Sequence, residues 1–169
     1  MPITSFEFIK GYAQSKVAKG ETNDCVVRAL AVVEDCDYDT AHRLAATRMR
    51  RANRKGVHTL TIVKYFEGER EKYELVKTES NPYKTPMFAH HFIVEGKALK
   101  TTYKLKGKEI KCDMTLGTFA KRYNRGRYFV VVRGHALAVV DGQIIGNNED
   151  PTRTRRPVRF AYEAKRATY

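Results

Sequence analysis

Between Arg127 and Gly146 the chain offers three apolar runs in close succession, and this leaves few architectures open. Arg127–Arg133, His135–Val140 and Gln143–Gly146 each read as a strand, and a tight Asp141–Gly142 turn joins the last two. Such short connections exclude the long crossover that parallel neighbours require, so the strands pair antiparallel. Arg156–Tyr162 supplies a possible fourth strand. Upstream the pattern is helical. ETNDCVVRALAVVEDCD carries an almost continuous apolar surface from Val26 to Val33, preceded by Thr22, Asn23 and Asp24 as capping residues. A helix that is apolar nearly all round belongs in the centre of a fold. Asp37–Asn53 gives a second helix, and Thr59 is expected to cap a short third one through Phe66. Thr115 opens another, through Leu116, Phe119 and Tyr123. Helices first and an antiparallel sheet last define the α+β class.

The middle of the chain differs in character. Tyr73–Lys77 and Ala89–Glu95 read as strands, separated by a proline-containing loop. Residues 99–112 read as a hairpin turning at Lys106–Gly107, a register that sets Lys104 opposite Glu109 and Tyr103 beside Ile110. Residues 67–113 are therefore expected as an insertion within one domain spanning 1–169. A chain of 169 residues needs no covalent staple to hold its core. Three cysteines, Cys25, Cys36 and Cys112, make an odd, sparse set that fits no disulfide framework and points to a reducing compartment. The opening MPITSFEFIK has no basic stretch followed by a long apolar one, and no apolar run approaches a membrane span. A cytoplasmic protein with no membrane partner is expected.

Cys25 falls in the first turn of the central helix, where free amides and the helix dipole favour a thiolate over a thiol. His135 opens a strand directly after Gly134. A strand-borne histidine beside a helix-borne cysteine makes a thiolate–imidazolium pair, which needs a third polar group to orient the ring. Asn147, after the next strand, is the first choice for that group; Asp141, Asn148 and Asp150 are the alternatives. Each residue alone has a plain structural reading. Cys25 shares a stripe with Ala29 and Val32 and suits a buried core, His135 suits a satisfied strand residue, and Asn147 suits a turn. The order of the set carries the inference: cysteine at a helix start, histidine on a strand, an amide or carboxylate after the next strand.

TNDCVVRALA, and much later GTFAKRYNRGRYFVVVRGHALAVVDGQIIGNNEDPTRTRRPV, resemble the small papain-like cysteine peptidase-type proteins found in phages, and are distantly similar to the double-glycine leader peptidases. The likeness rests on Asn23, Asp24, Cys25, Arg28, Ala29 and Leu30, then on Thr115, Phe119, Gly126, Tyr128, Gly134, His135, Asp141 and Gly142. It covers about residues 20–66 and 114–162. The resemblance implies a papain-like fold, with the cysteine-bearing helix packed on the sheet that carries the histidine. It also implies a thiol hydrolase acting on a peptide or isopeptide bond of a protein substrate, without a cofactor, in a host cytoplasm or a virion. The chain departs from the pattern in three ways. Lys19 and Gly20 occupy the neighbourhood of the usual oxyanion glutamine, and Gln14 is distant, which leaves the role to Asn23 and the Cys25 amide. Gly146 and Asn147 stand where the phage-type pattern often has aspartate. Residues 67–113 extend beyond the common core.

A net charge of +13 favours anionic partners. Arg48, Arg50, Arg51, Arg54, Lys104, Lys106, Arg153, Arg155 and Arg156 are candidates for a basic patch that would contact nucleic acid through phosphates. The plain alternative is a solvated basic surface. Cys25, Cys36, Cys112, His90 and His91 lack any metal-ligand spacing, so no metal site is expected. Two other functions stay open beside the hydrolase: a catalytically silent papain-like scaffold that binds a host or phage protein, and a basic nucleic-acid-associated protein.

Overall fold

The computed structural model describes residues 9–76 and 114–165 in full and the backbone of 91–94, 97–100, 104–105 and 108–109. Four helices come first: α1 (Lys16–Lys19), α2 (Cys25–Val33), α3 (Tyr38–Arg48) and α4 (Thr59–Gly68). Strand β1 (Tyr73–Leu75) follows, then the short strands β2 (His91–Val94), β3 (Lys97–Lys100), β4 (Lys104–Leu105) and β5 (Lys108–Glu109). Helix α5 (Leu116–Arg122) leads into β6 (Arg127–Val132), β7 (His135–Val140), β8 (Gln143–Ile145) and β9 (Phe160–Ala164). The mixed α+β class expected from the sequence is the class observed.

The main sheet has the order β1-β9-β6-β7-β8, and every pairing in it is antiparallel. β6 and β7 are joined by the Arg133–Gly134 turn, with Val132 opposite His135. β7 and β8 are joined by Asp141 and Gly142, both at positive φ (+47° and +81°). Glycine takes that backbone freely and aspartate tolerates it, so the hairpin closes in two residues.

The strand β6 reads as an unbroken apolar run because both of its faces are covered. Phe129 and Val131 join one core with α2, α3 and α4, while Tyr128, Val130 and Val132 join a second core with α5. Opposite pleat faces thus feed two helical layers. On the first face an aromatic cluster anchors the sheet to α4: Phe66 stacks on Tyr162 at 4.7 Å and meets Phe129 at 4.7 Å and Tyr73 at 4.8 Å. Truncating a fully buried phenylalanine at such a junction costs about 3–5 kcal/mol.

Capping explains most helix starts. Asp37 accepts from the Thr40 amide at 2.7 Å to begin α3, and Thr115 accepts from Thr118 to begin α5. The start of α4 corrects the expectation: His58, not Thr59, is the cap, its Nδ1 accepting from the Leu60 amide at 3.2 Å. The expected insertion of 67–113 begins inside the core, since β1 is an edge strand of the main sheet and Tyr73 is buried there. The two small hairpins β2–β3 and β4–β5 form separate sheets, and Lys104 pairs with Glu109 as the hairpin register predicts. Leu99, however, lies in β3 opposite Phe92 of β2, so the alternation over 99–112 spans two hairpins rather than one. Tyr103, Lys106, Gly107 and Ile110 lie outside the described residues.

Candidate active site

Cys25 is the first residue of α2, and α2 packs against β7 and β6. The N-cap residue, Asp24, makes no side-chain capping bond. Its buried carboxylate turns away, accepting from the Tyr38 hydroxyl at 2.7 Å and pairing with Arg28, one helical turn on, at 3.2 Å. The opening amides of α2 are thus left uncapped beside the sulfur, as orphan donors that suit an anion. Arg28 adds a buried positive charge below the same turn. Asp24 and Arg28 were legible only as part of a motif; their i,i+4 spacing is the signal for the pair itself.

Cys25 and His135 line the same cleft, close enough for each to shift the other's protonation. On its other side His135 meets Asp150, Nε2 to Oδ2 at 2.7 Å, which leaves Nδ1 for the sulfur. Asp150 is 1% exposed and holds three partners. Besides His135, it accepts from the Asn147 amide at 2.5 Å and from Arg156 Nη2 at 2.7 Å.

These contacts set the protonation states. Burial works against ionising Cys25, but the His135 hydrogen bond, the Ala136 amide and the charges of His135 and Arg28 outweigh it and hold the thiol below its ordinary value. Burial also opposes an imidazolium, yet the bonds to Asp150 and Cys25 push His135 up to about 9. Asp150 is held below the usual carboxylate range: its burial is outweighed by His135, Arg156 and the Asn147 amide. All three directions favour a thiolate–imidazolium pair backed by an ionised carboxylate.

The carboxylate on His135 corrects the first choice for the third position. Asn147 instead gives its backbone N–H to Asp150, the residue named as an alternative. The cause is Gly146. A Cβ built on Gly146 would lie 2.1 Å from Asp150 Oδ2, so the carboxylate occupies the space a side chain at 146 would fill. A turn returns the chain to it, with the Asp150 amide donating to the Asn147 carbonyl at 3.0 Å. Asp141 is at the far end of β7 from His135 and accepts from the Gly126 amide at 2.9 Å. Asn148 is exposed.

Asn23 lies at the cleft beside Cys25, in the left-handed region at φ +52°. Its Nδ2 donates to the Arg54 carbonyl at 3.1 Å, which fixes the amide and leaves a second N–H on the same nitrogen. The cleft has a volume of about 250 Å³. Val26, Val57, Ile62, Val131 and Val132 line it, a wall that charge and motif reading missed.

Among the described candidates for the basic patch, several side chains have structural partners. Arg51 is buried on Glu21 and the Thr22 carbonyl, Arg54 donates to the Gly20 carbonyl, and Arg156 serves Asp150. Arg48 pairs with Glu69 and lies over Tyr65. Arg50, Arg153 and Arg155 are exposed. The Lys104 side chain and Lys106 lie outside the described residues, as do Cys112, His90 and the His91 side chain. Among the described residues no group of three or more His, Cys, Asp or Glu is placed to hold a metal ion. Among them, too, no helix is long and apolar enough to cross a membrane.

Compared with protein-family models, with curated proteins and with solved structures, the chain matches none.

Proposed function

We propose that this protein is a papain-like thiol hydrolase that cleaves a peptide or isopeptide bond through Cys25, His135 and Asp150. The observation that carries the reading is His135 bonded to the buried Asp150 carboxylate and lining one cleft with Cys25. A cysteine opening a central helix, packed against an antiparallel strand that starts with the histidine, supports the papain-like assignment.

The roles follow from the geometry. The Cys25 thiolate attacks the acyl carbon. The oxyanion that forms accepts from the Cys25 amide at the uncapped start of α2 and from Asn23 Nδ2. His135 gives its Nδ1 proton to the leaving amine as the C–N bond breaks, leaving a thioester on Cys25. The neutral ring then takes a proton from the water that attacks the thioester, the acid departs, and the thiolate–imidazolium pair is restored. Asp150 holds the ring in position and stabilises its charged form. Deamidation and acyl transfer use the same groups and differ in leaving group or acceptor.

A library of quenched fluorescent peptides tests the reading. Turnover is expected from the wild-type protein and none from Cys25→Ala, with an alkaline limb near pH 9 where His135 loses its proton. Turnover that persists in Cys25→Ala, or wild-type protein that cleaves no peptide or isopeptide, contradicts it.

A further inference from the structure

The cleft beside Cys25 has a composition that the triad does not explain. Its wall is largely aliphatic, with Val26, Val57, Ile62 and Val131 beside the polar Asn23 and Thr59, and its volume is about 250 Å³. An apolar cavity of about 150 Å³ already holds a benzene ring, so this cleft has room for one leucine- or phenylalanine-sized side chain. Its rim has a different character. Gly56 and Gly134 both line the cleft, and each directly follows an exposed cation, Lys55 and Arg133. Neither cationic side chain has a hydrogen bond or ion pair among the described residues.

The neighbouring charges sharpen the contrast. Arg28, Arg51 and Arg156 pair with Asp24, Glu21 and Asp150, and all three carboxylates are consumed in those pairs. Cys25 and His135 offset each other as an ion pair. Lys55 and Arg133, each next in sequence to a residue of the cleft, are therefore exposed cations with no acidic partner among the described residues.

We infer that this site selects peptides with one medium-sized apolar side chain seated in the cleft and acidic residues flanking it. The inference rests on the thiol-hydrolase reading and adds its substrate class. Exposed cations at a cleft mouth act mainly on encounter and discrimination, and salt weakens them.

Two peptidyl chloromethyl ketones test it, each ending in leucine at the reactive group, one flanked by glutamates and one by lysines. Capture of Cys25, read by mass spectrometry, needs the thiolate and the cleft but no turnover. The acidic probe is expected to label Cys25 about tenfold faster at about 50 mM salt, with the gap closing at about 500 mM. In Lys55→Glu/Arg133→Glu the preference is expected to reverse; the single variants Lys55→Gln and Arg133→Gln are expected to halve the gap or more. Equal rates, a gap that survives charge reversal, or capture of neither probe overturns the inference. So does duplex DNA blocking the acidic probe at low salt, which would assign the rim to a polyanion. Iodoacetamide, small and neutral, separates the two levels: rapid alkylation of Cys25 without probe preference removes the acidic substrate and leaves the hydrolase standing. Slow alkylation removes both.

Discussion

Helix α2 has a cysteine near each end, and the two are opposites. Cys25 begins the helix beside His135 and Ala136, with Arg28 one turn on, and these groups favour its thiolate against burial. Cys36 lies just past the other end; burial first, then Glu34, Asp37 and Asp35, pushes its thiol up to about 11. Both sulfurs are partly buried, so burial alone does not separate them. The difference lies in the surroundings: orphan amides and cations at the N-terminus, carboxylates at the C-terminus. One helix thus favours ionisation of the thiol at one end and opposes it at the other, which is the contrast the proposed nucleophile requires.

The largest effect on this contrast is expected from His135→Ala. Burial of Cys25 remains while the bond and charge that oppose it disappear, so its thiol rises and its alkylation at pH 6 falls by on the order of 100-fold, towards that of Cys36. Mass-spectrometric rates at the two sites read this directly. Gly146→Ala comes next. Its new Cβ meets the Asp150 carboxylate, and peptide turnover is expected to fall about 10–100-fold although no catalytic group has changed. Asp150→Asn should match it, with the alkaline limb shifted below 9. Arg156→Gln is milder, a loss of about threefold to tenfold, because His135 and the Asn147 amide still hold Asp150; partial recovery in Arg156→Lys would assign the effect to charge. The smallest effect is at the other end of α2. Asp35→Asn removes one negative charge near Cys36, so that thiol falls and alkylates up to about threefold faster, while Cys25 stays unchanged.

The parts of the structure that depend on local pattern were the legible ones. Turn residues Asp141 and Gly142, the Thr115 cap and the strand His135–Val140 announce themselves within a few residues of chain. So does Cys25 at a helix start. The third member was harder, because a polar residue directly after β8 is the stronger local signal, and Asn147 fits it. The absence of a side chain at Gly146 and the turn back to Asp150 are facts of three-dimensional packing. Arg156 reaches Asp150 across that same turn. Arginines were legible as charge but not as partners: Arg51 and Arg156 face buried carboxylates, and a count of +13 cannot distinguish them from the exposed Lys55 and Arg133. The aliphatic cleft wall combines α2, the 56–62 segment and β6, so no single stretch of sequence contains it.

The most direct test of the thiolate–imidazolium pair is the pH profile of iodoacetamide alkylation at Cys25, with Cys36 in the same molecule as reference. Cys25 is expected to react rapidly well below the ordinary thiol range of about 8.5, while Cys36 stays slow until strongly alkaline pH. Two profiles that coincide would contradict the ion pair, and with it the catalytic reading of the site.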